Sequence, residues 1–290
     1  MKHLRTLLID IGAVSEESIE IFATSTRDVN DLKVYRDKLS GVIFIDDYYC
    51  GESEYKTGSY REEQFSRVTG YEDNADSERR FERYKKFICA KSVCDFGCGA
   101  GDFLKLASQV ASDVCGVELQ DSVRKHLQSL NVNCVANLHD LGNKSYDVVT
   151  LFHVLEHLPE PRVHLKTIYD TLLPSGKGKV IIEVPHANDF LLQYVSVPEF
   201  VKFTLWSQHL VLHTRDSLRR LLVDVGFKNV VIEGVQRYPL SNHLQWLKSA
   251  TPGGHKSALS VFETEELTHA YATALAKIDA TDTLVAIATT

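Results

Sequence analysis

The chain has 290 residues, enough for one main core with additions, and its 44% hydrophobic and 24% charged content is that of an ordinary globular protein. A formal charge of −7 and a pI near 5.9 argue against a general binder of nucleic acid or of anionic membranes. Six cysteines, at positions 50, 89, 94, 98, 115 and 134, contain no C-x-x-C pair and read as small core residues in a reducing compartment.

At the N-terminus Lys2, His3 and Arg5 precede Leu7, Leu8 and Ile9 in a leader-like order, but Asp10 cuts the apolar run short. No stretch elsewhere approaches the roughly 18 apolar residues of a membrane span, so the expected location is the cytoplasm, without a membrane partner. Residues 18–24, 32–36 and 42–45 carry β-like patterns and are expected to form a small β-rich N-terminal module. From 46 to 74 the chain is polar and rich in tyrosine. Tyr55, Tyr60 and Arg61 are candidates for substrate contacts in a lid over a site, against the plainer alternative of a surface segment packed by its own tyrosines. In residues 77–87, Phe81, Tyr84 and Phe87 recur at helical spacing with basic residues elsewhere, a solvated amphipathic helix in which Arg79, like Arg61, is a candidate to meet a phosphate.

Residues 92–103 then run from a short β pattern ending in Asp95 through Gly97, Gly99 and Gly101 into a helical pattern. Glycine admits positive φ and lets a ligand approach with no Cβ in the way, and the helix start behind it presents unpaired N–H groups. The order D-x-G-x-G-x-G differs from the dinucleotide G-x-G-x-x-G, and no Gly-Lys-Ser/Thr follows to make a phosphate loop. Cys98 in this turn is a candidate for some thiolate character, with a plain loop residue as the alternative. A second apolar run, 114–117, ends in Glu118, the carboxylate expected after the second strand to hold ribose hydroxyls.

With this acid and these alternate glycines, followed by an acid at the end of the second strand, the chain resembles the class I S-adenosylmethionine-dependent methyltransferases. The resemblance covers about residues 77–290. It implies a Rossmann-like, mostly parallel seven-stranded sheet with helices on both faces, ending in an antiparallel strand, and S-adenosylmethionine as methyl donor. It places the cofactor's methionine part over Gly97, Cys98, Gly99 and Gly101, with Asp95 supporting the turn and Glu118 and Leu119 at the ribose. Asn137 and Leu138, after the third strand, become adenine-side candidates.

Residues 146–151 and 179–184 read as the fourth and fifth strands, and Thr214 as an N-cap before Leu218, Leu221, Leu222 and Val225, with Gly226 as the stop. Residues 229–234 and 283–288 are the remaining strands, which the resemblance assigns to the antiparallel end of the sheet. The resulting division is an N-terminal module with its lid over 1–76 and a methyltransferase domain over 77–290. An insertion at 237–280 is expected to carry Leu267, Tyr271, Ala274 and Ile278 on one helix face and to shape a substrate site or a subunit interface, which leaves a homodimer open.

After the fourth strand comes Phe152-His153-Val154-Leu155-Glu156-His157-Leu158-Pro159-Glu160-Pro161. Taken alone, His153-x-x-Glu156-His157 has the spacing of a zinc hydrolase helix, but Pro159 and Pro161 interrupt that helix at once. Sugar- and quinone-type small-molecule methyltransferases are similar in this run. The resemblance puts the backbone of Phe152 and His153 near the cofactor and Glu156 and His157 on the substrate side, so the expectation is no metal. His157 is the natural base for a hydroxyl at neutral pH, with Glu156 beside it, against the alternative of a structural histidine. His186, after the fifth strand, and His209 or His213 are further substrate-side candidates. The expected function is methyl transfer to a small polar molecule, foremost a sugar or sugar nucleotide of surface-polysaccharide synthesis, with nucleic acid not a partner. The alternatives are O-methylation of a phenolic or quinone precursor, a zinc hydrolase, and a non-catalytic cofactor-binding module.

Overall fold

The computed structural model describes residues 4–57 and 69–290. Tyr60 and Arg61 of the expected lid lie outside them.

After a first helix come three short strands, β1 (Ile19–Ala23), β2 (Val34–Asp37) and β3 (Ile43–Ile45), each antiparallel to the next. Then follow β4 (Ser92–Phe96), β5 (Asp113–Val117), β6 (Asn133–Val135), β7 (Val148–Phe152), β8 (Lys179–Pro185), β9 (Val211–Leu212), β10 (Lys228–Val235) and β11 (Thr283–Thr289). Seven of them form one sheet in the order β6-β5-β4-β7-β8-β11-β10. Every pair from β6 to β8 is parallel, and β11 runs antiparallel to both neighbours. This is the Rossmann-like sheet with its antiparallel end strand that the resemblance implies.

The central strands are apolar throughout because both faces are covered. Val148 and Ile181 point into one core with Phe81, Tyr84, Ile88 and Phe103, while their neighbours Val149 and Ile182 point into the other with Leu165, Leu218 and Leu222. The helix Arg215–Val225 has the expected ends: Thr214 caps Ser217 N, and Gly226 at φ 117° closes it.

The β-rich N-terminal part is joined to the rest at two places. Its sheet takes β9 as a fourth strand, Phe44 opposite Val211 and Ile43 opposite Leu212. The leader-like residues form a helix, Leu4–Asp10, that buries Leu4, Leu7 and Leu8 in the main core with Phe44 and Val149. The boundary expected between residues 76 and 77 falls inside the helix Thr69–Ile88.

Two expectations are corrected. The helix 69–88 is not simply solvated on its basic side, because Arg79 and Arg80 turn inward onto Glu183. In the 237–280 segment the helix Glu265–Lys277 buries Leu275, whereas Leu267 and Ile278 are 37% and 46% exposed, since a helix on the outside of the sheet edge has no second layer to cover its remaining apolar stripe.

Candidate functional site

The turn after β4 shows why its glycines are needed. Gly97, Gly99 and Gly101 have φ of 76°, 52° and 73°, the left-handed region that costs a side-chain-bearing residue about 1–2 kcal/mol. A Cβ on Gly97 would also stand 2.4 Å from Val154 Cγ2, and one on Gly101 2.4 Å from Leu127 Cδ2. The turn is therefore pressed against the loop after β7 on one side and the helix Asp121–Ser129 on the other. The helix it opens is short, Asp102–Ala107.

Two carboxylates stand beside this turn, and Glu118 bonds to it directly. Asp95 is 3% exposed and accepts a hydrogen bond from Thr150 Oγ1 at 2.6 Å. Burial pushes its carboxyl up to about 7 against that hydrogen bond. Glu118 accepts from Gly99 N at 3.0 Å with one oxygen and from Gln120 N at 2.9 Å with the other. Each oxygen keeps a lone pair for a further donor, as a ribose hydroxyl requires. Leu119 and Glu118 are held by Arg124, whose Nη1 donates to both backbone carbonyls at 2.6 and 2.7 Å. Asn137 caps the turn Leu138–Leu141 by accepting from Asp140 N, and Leu138 is 8% exposed in the main core. Cys98 Sγ lies 3.9 Å from Cys134 Sγ, and this contact together with burial pushes its thiol up, so the thiolate alternative is corrected.

The loop after β7 leaves the helical pattern at once. His153 has φ 55°, and Leu155–His157 is a single 3₁₀ turn. His153 N donates to Glu183 O at 2.9 Å, which extends the ladder of β7 and β8 by one residue. Its ring lies between two partners: Nε2 accepts from Arg237 Nη1 at 2.9 Å, so Nδ1 carries the proton and donates to Glu156 Oε1 at 3.2 Å. Burial and then the Arg237 guanidinium hold this histidine well below its usual range. His153 and His157 thus do not share one helix face, and His153 Nε2 is engaged by a guanidinium. The zinc hydrolase alternative is removed.

Behind the loop lies a buried ionic network. Glu183 accepts from Arg79 at 2.8 and 3.0 Å, from Arg80 Nε at 2.9 Å and from Tyr84 Oη at 2.7 Å. Burial alone would raise its pKa, and the Arg80 and Arg79 guanidiniums instead hold it well below the carboxylate range. Arg237 pairs with Asp76, and Arg80 also lies over the Phe152 ring at 4.7 Å. Arg79, expected to be available to a phosphate, is therefore an internal counter-ion. Phe152 turns its ring into the core, stacked on Tyr84 and edge-on to Phe103.

On the outer side, Glu156 is fully buried, and burial pushes its carboxyl up to about 8. His157 Nδ1 donates to Gln208 O at 2.8 Å, which makes Nε2 its basic nitrogen. The ring is surrounded by Tyr55, Trp206 and His209 at centroid distances of 6.0, 5.7 and 5.0 Å. The segment carrying Trp206 and His209 is held by the N-terminal part: Asp28 accepts from Ser207 N at 3.0 Å and from Ser207 Oγ at 2.6 Å, and Arg27 lies 4.5 Å over Trp206. Leu210 N donates to Glu156 O at 2.8 Å, closing the loop onto the 3₁₀ turn.

His186 is not on this rim. It is 1% exposed, donates from Nδ1 to Thr281 O at 2.9 Å and is lowered to about 4 by burial. His213 is equally buried against Ser217. Arg237, Arg80, Glu183, Asp76, Trp206 and Gln208 were not singled out from the sequence. Only Glu183 left a signal there, as an acid inside the apolar run of β8 that must have a buried partner.

A Rossmann-like sheet of this order, with an alternate-glycine turn after its central strand and an acid after the next, defines the class I S-adenosylmethionine-dependent methyltransferases. Residues 60–232 match the family described as "Methyltransferase domain", and the chain belongs to that family. Among curated proteins it is similar to ubiquinone biosynthesis O-methyltransferases. That of Idiomarina loihiensis is 31% identical over 106 residues, covering 33% of this chain and 44% of that protein. That of Psychrobacter cryohalolentis is 25% identical over 193 residues, covering 60% and 72%. This chain thus spans less than half the length of the first of these relatives. The fold is also that of a SAM-dependent methyltransferase from Archaeoglobus fulgidus, with a TM-score of 0.53, 21% identity, and coverage of 80% of this chain and 99% of that one. No helix among the described residues is long and apolar enough to cross a membrane.

Proposed function

We propose that this protein is an O-methyltransferase whose acceptor is a hydroxyl of a small aromatic molecule, a phenolic or quinone precursor. The observation that carries the reading is His157, with its Nδ1 proton fixed on Gln208 O and its ring set among Tyr55, Trp206 and His209. A cup of aromatic rings around one basic nitrogen suits a flat, hydroxylated ring better than a sugar nucleotide, and Arg79, the described candidate for a phosphate, is committed to Glu183. The names of the curated relatives point the same way.

The residues of the turn fit the cofactor, since Gly97, Gly99 and Gly101 form a side-chain-free turn at positive φ and the Glu118 oxygens beside it keep lone pairs. Gly97 to Gly101 would hold its methionine part, Asp95 would support the turn, and Glu118 would hold the ribose. Asn137 and Leu138 would border the adenine. The cofactor supplies an electrophilic methyl group on a sulfonium. The protein's own contribution is alignment and exclusion of water by the aromatic cup, together with acceptance of the hydroxyl proton at His157 Nε2, beside buried Glu156.

The test is formation of S-adenosylhomocysteine with a panel of phenols and catechols against a panel of nucleotide sugars. Turnover with the aromatic panel, reduced about 10²–10⁴-fold in His157→Ala, is expected. Turnover with nucleotide sugars alone would replace the acceptor class. Unchanged turnover in the variant would remove His157 from the reaction, and binding of S-adenosylhomocysteine without turnover on any acceptor would favour a non-catalytic module.

A further inference from the structure

The rim also joins His157 and Glu156 to His209 in a second arrangement. One ligand atom each from Glu156, His157 and His209 lies within 4.8 Å of the other two. His157 Nε2 and Glu156 Oε1 are already 3.8 Å apart. In a tetrahedral site with metal–ligand distances of about 2.0–2.2 Å, neighbouring donor atoms stand roughly 3.4 Å apart, so small side-chain rotations close this triad. The three come from the 3₁₀ turn after β7 and from the loop before β9, and the fold brings these together through the bond from Leu210 N to Glu156 O.

The second observation is the Glu156 carboxylate itself. It is fully buried, one oxygen accepts from His153, and the other has no hydrogen-bond partner among the described residues. Buried carboxylate oxygens are ordinarily satisfied, and an orphaned one on a carboxylate whose other oxygen stands 3.8 Å from His157 Nε2 is what a cation site looks like without its ion. His153 serves the triad from behind. Its Nδ1 proton fixes one Glu156 oxygen while Arg237 fixes the other side of the ring, which is the orienting support that metal ligands usually receive. His157 is oriented likewise, by Gln208 O.

We infer that Glu156, His157 and His209 form a site for a first-row divalent transition-metal cation. Two imidazole nitrogens and one carboxylate select zinc, manganese, iron or cobalt over calcium and magnesium, and three protein ligands leave at least one position open. The set differs from the His153-x-x-Glu156-His157 spacing legible in the sequence, because His153 is a supporting group and the third ligand comes from 52 residues beyond His157. The inference deepens the acceptor-site reading and rests on it only for its consequence. Without the cation His157 Nε2 is the proton acceptor; with it, that nitrogen is a ligand instead, the open position would take the acceptor's hydroxyl oxygen, the cation would acidify it, and the proton would leave to solvent.

The test is titration of the chelator-treated full chain with Co²⁺ and Zn²⁺, read by the cobalt visible absorption and by metal content after dialysis. Calorimetry with S-adenosylhomocysteine runs alongside. One equivalent of metal is expected, with cobalt bands of a low-coordinate nitrogen/oxygen site. Affinity should fall at least about tenfold in Glu156→Gln and in His209→Ala, and stay unchanged in His126→Ala on the exposed helix Asp121–Ser129. Absence of cobalt bands in the wild-type chain would overturn the inference whatever the variants do. So would retention of the metal in both site variants. S-adenosylhomocysteine bound without metal would sink the cation site alone, whereas metal bound without S-adenosylhomocysteine would sink the methyltransferase reading and leave the site standing.

Discussion

Arg237, two residues past the end of β10, donates to His153 Nε2 at 2.9 Å and so ties the last part of the sheet to the loop after β7. The same guanidinium pairs with Asp76 on the helix Thr69–Ile88, so one part-buried cation joins three segments that are remote in the chain. Such a group is costly to remove because its partners stay behind in a dry place. Arg237→Ala should lower the unfolding free energy by about 3–5 kcal/mol in urea, whereas Arg220→Ala, which breaks an exposed pair with Asp216, should cost under about 1 kcal/mol. Equal losses in the two variants would show that the Arg237 network contributes no more than a surface pair.

Gly97→Ala should lose both stability and cofactor affinity. Its φ of 76° alone costs about 1–2 kcal/mol, and the new Cβ meets Val154 at 2.4 Å. Gly142→Ala is the comparison, since φ there is 60° but nothing lies within 4 Å of the added atom. Melting curves should separate the two, and calorimetry with S-adenosylhomocysteine should show at least a tenfold loss in Gly97→Ala only.

Glu118→Gln keeps the shape of the side chain but sets an amide NH₂ against one of the two backbone N–H groups that the carboxylate now receives. Losing a charged acceptor is worth about 1.5–3 kcal/mol, so S-adenosylhomocysteine should bind roughly 10–100-fold more weakly. Unaltered affinity would take Glu118 out of the cofactor site.

Two buried groups give opposite pH dependences. Asp95 is raised to about 7 by burial, so the folded state holds its proton more tightly than the unfolded one. The stability this contributes is full below about pH 4 and lost as pH rises towards 7. His213 is lowered to about 4 by burial, so its contribution is full above about pH 6.5 and lost as pH falls through 4. Relative to wild type, Asp95→Asn should gain stability between pH 4.5 and 7.5, and His213→Gln should flatten the acid side of the profile. Urea unfolding at four or five pH values checks both, and parallel profiles for all three proteins would contradict them.

Asp28 is expected to matter for turnover rather than for the cofactor. It holds Ser207 by two hydrogen bonds and thereby the segment bearing Trp206 and His209. Asp28→Ala should lower turnover about tenfold or more, since small displacements of positioning groups are costly, with affinity for S-adenosylhomocysteine kept. Loss of both together would mean that the whole fold loosens.

Much of this was legible in the chain itself because it is local. Period-2 and period-3.6 patterns, the Thr214 and Gly226 ends of one helix, and three glycines at alternate positions are fixed by backbone sterics and capping within a few residues. Those features sufficed for the sheet, the family and the methyl donor. The side-chain partners were not legible, because they join residues about fifty to more than a hundred positions apart: Arg79 with Glu183, His157 with Gln208, Asp28 with Ser207. The histidines show the difference most clearly. His153, His157, His186, His209 and His213 look alike in sequence, yet burial and hydrogen bonding make His186 and His213 packing groups, His153 a support, and His157 and His209 members of the rim. Sequence alone determined which backbone bed this protein builds, since φ and periodicity are properties of neighbouring residues. Which charges and rings face the acceptor was decided only by the tertiary structure, because desolvation and pairing depend on what the fold brings alongside.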